Sequence, residues 1–114
     1  MRIISEQNKI SKKELKQMAQ KMFGNLVKAV VDVKKELMAI DAELHSDEEA
    51  ELLTQGSKQN DLWGINLYPD AKDKDFIEFD SMINLRPSQN NRTRSVDDKK
   101  TQEKIIKIIG KLIK

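Results

Sequence analysis

Cysteine is absent from the 114 residues. A disulfide framework, a Cys-ligated zinc site and a thiol nucleophile are thereby excluded, and the composition fits a reducing compartment. Proline occurs twice and glycine four times, and there is no Gly-rich phosphate loop, Walker pattern or Ser-His-Asp order to suggest nucleotide hydrolysis or acyl transfer. Aromatic residues are only 4% of the chain. That is too few for a base-stacking platform, so Trp63 and Phe79 read as core residues rather than partners of nucleobases. No apolar run approaches the roughly 20 residues of a membrane span. The opening Met1–Glu6 has no long apolar stretch either, which argues against a signal peptide. The expected setting is the cytoplasm, without membrane attachment. Charge of one sign is also missing: 21 basic against 19 acidic residues give a net +2, too balanced to argue for nucleic acid on charge alone.

What is present is a set of clustered apolar segments long enough for one domain over 1–114. Arg2–Ile4 reads as a short edge strand. Ser11-Lys12-Lys13-Glu14 forms a capping box, and Leu15, Met18, Ala19, Met22 and Phe23 make one helical stripe closed by Gly24. Leu26–Val33 reads as a strand with Val27, Ala29, Val31 and Val33 on one face. The apolar pattern resumes at Leu37–Ile40, continues to about Leu44, and pairs back with that strand, through a turn at Lys34-Lys35-Glu36 whose type the residues do not settle. Ser46-Asp47-Glu48-Glu49 reads as a second capping box, opening a short helix that stops at Gly56. Leu62–Tyr68 alternates with Trp63, Ile65 and Leu67 inward. Phe76–Leu85 alternates over its whole length and reads as the longest strand, pairing with Leu62–Tyr68 in a second hairpin. The segment 86–97 has no apolar period and is about as long as an unstructured connection gets. Asp98–Ile113 is a helix with an isoleucine stripe. Its lysines at Lys104, Lys107, Lys111 and Lys114 suit docking on a sheet better than lying on a membrane. The expected fold class is α+β: a mostly antiparallel sheet of about five strands in the order β-α-β-β-α-β-β-α, with three helices covering one face.

Three features could carry chemistry. The first is the loop Arg86-Pro87-Ser88-Gln89-Asn90-Asn91-Arg92-Thr93-Arg94-Ser95, which leads into the last helix. Guanidinium groups grip phosphate or carboxylate in two-pronged fashion, and a helix start adds amide donors. Arg86, Arg92 and Arg94 would form an anion clamp, with Ser88, Gln89 and Asn91 orienting the ligand. The plainer reading pairs these arginines with Asp97 and Asp98. The second feature is the polar face of the second hairpin. Glu78 and Asp80, two apart in a strand, share one side, and with Asn66 they could line the neighbouring wall or hold Mg²⁺ or Mn²⁺. A solvated sheet face explains the same alternation. The third is His45, the sole histidine. The acids around it should favour its charged form, with a metal or proton-transfer role open to it, although capping chemistry accounts for the acids equally well.

Several strings also occur together in a recognisable combination. They are Glu43-Leu44-His45, the run from Gln55-Gly56-Ser57-Lys58-Gln59 through Asp61-Leu62-Trp63-Gly64-Ile65-Asn66-Leu67-Tyr68-Pro69, and Ile77-Glu78-Phe79-Asp80-Ser81-Met82-Ile83-Asn84-Leu85-Arg86-Pro87-Ser88-Gln89. With them the chain resembles, over nearly its whole length, a small prokaryotic family known only as a domain of unknown function. The resemblance implies a stand-alone bacterial or archaeal domain and supplies no activity, cofactor or catalytic residue. The turn Lys34-Lys35-Glu36 departs from it, since that turn often contains glycine in such sequences.

The leading expectation is therefore a module that binds an anionic ligand: a small phosphate, a nucleotide or an RNA backbone. A metal-assisted hydrolase or nuclease using Glu78, Asp80 and His45 is the alternative from enzyme chemistry. A protein-interaction domain, dimerising through a free sheet face, is the third.

Overall fold

The computed structural model describes residues 1–114. Five strands form one antiparallel sheet: β1 (Arg2–Ile4), β2 (Val27–Asp32), β3 (Leu37–Ile40), β4 (Leu62–Leu67) and β5 (Ile77–Glu78), in the spatial order β1-β3-β2-β4-β5. Three helices accompany it: α1 (Lys12–Met22), α2 (His45–Thr54) and α3 (Lys99–Leu112). The α+β class and the antiparallel sheet agree with the sequence patterns. None of the helices is long and apolar enough to cross a membrane.

The first turn of α1 is held as its sequence predicts. Ser11 Oγ accepts from the Glu14 amide at 3.1 Å, and the Glu14 carboxylate accepts from the Ser11 amide at 3.3 Å. Gly24 closes the helix at φ +94° and donates its amide to the Ala19 carbonyl at 2.6 Å, a backbone state that costs glycine nothing. The β2–β3 turn solves its lack of glycine with an aspartate. Asp32 Oδ1 accepts from the Lys34 and Lys35 amides, both at 2.9 Å, while Glu36 takes the left-handed conformation at φ 57°. An Asp side chain thus does what a backbone turn bond would do.

The expectation that all three helices cover one face of the sheet is not met. α1 and α3 pack on the face that carries Val27, Ala29, Val31, Met38, Ile40, Trp63, Ile65 and Leu67, closing a core of 17 buried residues. α2 lies on the opposite face, where Leu52 joins Val30, Ala39 and Leu62 in a cluster of four. The reason is in β2 and β4: Val30 and Leu62 are apolar on the face that strict alternation would leave to water, and both are fully buried. The face expected to be free for a dimer is thus occupied by α2 and, towards β4, by the turn that holds Ile83.

Two further expectations fail locally. The chain after β5 does not continue as a strand to Leu85. It leaves β4 after Glu78 and forms a single 3-10 turn over Met82–Asn84. Gly64 explains the departure: Ser81 packs onto the bare Gly64 backbone, where an added Cβ would meet the Ser81 Cβ at 2.5 Å. Ile77 and Phe79 keep to the α1/α3 core while Ile83 joins the α2 cluster, so the apparent alternation spans two faces. The Ser46 capping box is also not formed. α2 starts two residues earlier, at His45, with Leu44 rather than Ser46 at the cap position and no side-chain cap. Starting there lets Glu48 and Leu52, one turn apart, face the sheet, and both are buried.

Candidate functional site

The loop 86–97 is built around two buried asparagines. Asn84 stands in for the strand that β5 fails to continue: its Oδ1 accepts from the Gly64 amide at 2.8 Å and its Nδ2 donates to the Gly64 carbonyl at 2.9 Å. The same Nδ2 donates to the Arg94 carbonyl at 2.9 Å, tying the far limb of the loop to the sheet. Asn91 gathers the loop on itself, donating to the carbonyls of Asn84 and Ser95 at 2.7 Å each and accepting from the Asp97 amide at 2.8 Å. Val96, fully buried, anchors the loop in the core. Apart from a 3-10 turn at Pro87–Gln89 the segment is irregular, and it is held by these hydrogen bonds even though Arg86 Nε and Gln89 Oε1 are buried without a partner.

This scaffolding sends the three arginines to different places. Arg86 folds back over β4, where its Nη2 donates to the Leu62 carbonyl at 2.7 Å and its Nη1 to the Gln59 carbonyl. Its guanidinium stacks 4.2 Å from the centre of the Trp63 ring. Burial pulls its pKa below the ordinary value. Arg86 therefore closes the start of β4, and Gln89 does similar work through a 2.8 Å bond from Nε2 to the Asn60 carbonyl. Arg92 is exposed and forms no ion pair. Asp97 does not neutralise it: the carboxylate is spent on the Thr93 hydroxyl and the Arg92 backbone amide, and both bonds hold its carboxyl below the usual range. Arg94 turns the other way, and its Nε donates to Asp80 Oδ1 at 2.7 Å. The clamp of three guanidiniums with Ser88, Gln89 and Asn91 is thus dispersed, and Asn91 is engaged inside the loop.

Arg94 does meet the other candidates. On the sheet face covered by α2, Lys28, Asn66 and Glu78 lie in register across β2, β4 and β5. Asn66 Nδ2 donates to Glu78 Oε1 at 2.9 Å and to the Asp80 carbonyl at 3.2 Å. Tyr68 Oη donates to the same Glu78 oxygen at 2.9 Å. Its partners leave Asn66 Oδ1, buried, without a hydrogen bond. His45 closes the patch from the start of α2, its Nε2 lying 2.8 Å from the Ile65 carbonyl. That oxygen can only accept, so Nε2 carries the proton and a neutral ring keeps its lone pair on Nδ1. Burial lowers the His45 pKa, and the charges of Lys28 and Arg94 lower it further against the opposing pull of the Ile65 carbonyl and Asp80. The ring is neutral at pH 7, contrary to the charged form that its acidic sequence neighbours suggest. Those acids point elsewhere.

One turn along α2, Glu48 is fully buried, and neither carboxylate oxygen makes a well-formed hydrogen bond. Burial pushes its carboxyl up to about 9, the Ala42 amide and the Lys28 charge offsetting only part of the cost. It is a neutral acid under the sheet at physiological pH. Lys28, whose ammonium also sits 5.0 Å from the Phe23 ring centre, gives no signal in the sequence, since it interrupts a run of valines on what reads as a solvated face. Glu48 looked like a capping residue for the same kind of reason. Only the position of α2 distinguishes these roles.

The patch therefore combines two cations (Lys28, Arg94), two acids (Glu78, Asp80), a neutral imidazole and an unsatisfied amide oxygen. It does not assemble a metal centre: no three His, Asp or Glu side chains converge closely enough to hold an ion. Glu78 and Asp80 instead face Asn66, Tyr68 and Arg94 as hydrogen-bond and ion-pair partners.

A family model described as "Protein of unknown function (DUF5674)" matches residues 2–112, and the chain belongs to that family. No curated protein and no solved structure matches it.

Proposed function

We propose that this domain binds a small anionic ligand on the sheet face beside the start of α2, with Arg94 and Lys28 as the charged contacts and His45 and Asn66 as the floor. The observation that carries the reading is the buried Asn66 oxygen left without a donor, at a strand position in register with Lys28 and beside Asp80, which holds Arg94. A buried acceptor without a partner costs about 1–3 kcal/mol, and a ligand with a hydroxyl or amino group beside its anionic group would remove that cost. A phosphorylated or carboxylated metabolite has this combination.

The ion pair between Arg94 and Asp80 does not stand in the way. Both side chains are about half exposed, and such pairs contribute about 0–1 kcal/mol, so an anion can compete with Asp80 for the guanidinium. A small ligand suits the site better than an RNA backbone. With Arg86 folded under the loop, no row of cations remains for an extended strand to follow. A reducing, cytoplasmic setting fits both the absence of cysteine and this class of ligand.

Calorimetric titration of the full chain with inorganic phosphate and a panel of nucleoside monophosphates and sugar phosphates tests the reading. Binding should weaken with added salt, Arg94→Ala should lower affinity about tenfold or more, and Arg92→Ala should change it little. No binding at millimolar ligand, or full binding by Arg94→Ala, would contradict it.

A further inference from the structure

On the other side of the sheet, a cleft of about 320 Å³ opens between α3, the start of α1 and the segment before β5. Its walls are mainly apolar: Phe76, Ile77, Ile106, Ile109 and Ile113. Ile106 is half exposed there, although it stands in the isoleucine stripe of a helix otherwise docked by that stripe. Gly110 completes the wall. A glycine inside a helix costs about 1 kcal/mol relative to alanine, yet a Cβ at Gly110 would meet nothing within 4 Å. Neither packing nor backbone conformation calls for glycine at this position. The effect of the missing side chain is to keep the cleft open.

The charged residues that line the cleft are Lys12 and Asp73, and neighbouring lysines tip the balance to positive at the Lys12 end. The Lys12 ammonium lies 5.3 Å from the Phe76 ring centre, on the cleft wall. Lys12 is shared with an adjoining polar cleft that also holds Lys13, Lys16 and Lys72. Lys16 is paired with Asp70 at 3.0 Å, whereas Lys12, Lys13 and Lys72 form no ion pair. An apolar slot with unpaired ammonium groups at one end complements a molecule with an apolar body and one anionic head. The volume is at the lower end of small-molecule sites, which run from about 300 to 1,000 Å³.

We infer that this cleft is a second binding site, separate from the sheet-face patch, that takes a small anionic amphiphile such as a medium-chain carboxylate, with Lys12 at the head group and Gly110 making room for the chain. Burying the apolar body supplies the affinity; the lysines choose the sign of the head group.

Titration of the full chain with decanoate and with decyltrimethylammonium, followed by amide chemical shifts, tests the inference. Decanoate should bind saturably with Kd below about 1 mM, shifting the amides of Lys12, Phe76 and Gly110, while decyltrimethylammonium should bind at least tenfold more weakly. Lys12→Gln should weaken decanoate severalfold. Gly110→Leu, which fills the slot, should weaken it at least tenfold. Gly110→Ala guards against misfolding as the cause: it should raise Tm through helix propensity and still reduce affinity. Absence of saturable decanoate binding, equal binding of the cation, or undiminished binding by Gly110→Leu would each overturn the inference. So would sedimentation of the free protein as a dimer that Gly110→Leu dissociates, because the slot would then be filled by a second copy.

Discussion

The two faces of the sheet are built on different principles. Under α1 and α3 the buried residues are almost all aliphatic and form one continuous cluster of 17. Under α2 the apolar cluster has four members, and the buried side chains around it include Asp32, His45, Glu48, Ser57, Asn66 and Asn84. Some of these are fully paired: Ser57 Oγ donates to Asp32 Oδ2 at 2.6 Å, and Asn84 is bonded at both ends of its amide. Others are left short, namely Glu48 and the Asn66 oxygen. Aliphatic burial accounts for the stability of the first face. The second contains polar groups that stability alone would have replaced by leucine, and unsatisfied polar groups of this kind are where function concentrates.

The contrast can be broken by substitution. The largest expected loss is on the apolar face, where Ile65→Ala should destabilise by about 4 kcal/mol through lost burial and a cavity. The matching Leu52→Ala in the small cluster should cost less, about 2–3 kcal/mol, because its site is thinner and can collapse. Urea denaturation of both variants measures the pair, and equal losses would erase the distinction between the faces. Next is Asn84→Ala, expected to cost about 3 kcal/mol by orphaning the Gly64 backbone and the Arg94 carbonyl together. Amide exchange should accelerate along 84–97 in that variant while α1 and α3 remain protected.

Glu48 gives a smaller effect with a definite sign. Its carboxyl is raised from an ordinary 4.5 to about 9 in the folded chain. The folded state therefore holds a proton that the unfolded state gives up. The contribution is fully present below pH 4.5 and is lost progressively as pH rises towards 9. His45 works in the opposite direction, since its lowered pKa costs stability as pH falls below its ordinary value of 6.5. The Glu48 effect is thus isolated above neutrality. Stability should drop by about 2 kcal/mol between pH 7.0 and 8.5, at about 1.4 kcal/mol per unit. Glu48→Gln should flatten that slope, and an unchanged slope would mean that the carboxyl is not held neutral. Smallest of all, Arg92→Ala should shift stability by less than about 0.5 kcal/mol, in contrast to Arg86→Ala, which removes the cover of β4 and should cost about 1–3 kcal/mol.

How much of this was legible in the sequence follows the same division. The α1 and α3 side could be read from periodicity and caps, because an apolar stripe facing an apolar strand face is a local pattern repeated in each element. Ser11-Lys12-Lys13-Glu14, Gly24 and the inward set of β4 all behave as the residues suggest. The α2 side could not be read in this way. Alternation assigns Asn84 and Glu78 to one outward face, yet Asn84 is buried because its amide replaces a missing strand neighbour. Gly64 is the reason the strand is missing, and a lone glycine in a strand signals only a close approach. The arginine loop was legible as a segment and misleading as a site. Its composition says what guanidinium groups can bind, but not that Asn84 and Asn91 fix the loop so that Arg86 turns inward and only Arg94 reaches the Asp80–Asn66 wall.

The most direct test of the central claim, that the polar sheet face is the working face, is an amide chemical-shift map of the labelled chain titrated with adenosine monophosphate. The account predicts saturable shifts clustered at Lys28, His45, Asn66 and Arg94, reached together from β2, α2, β4 and the loop. Shifts confined to Arg92 and the lysines of α3, rising without saturation, would contradict it.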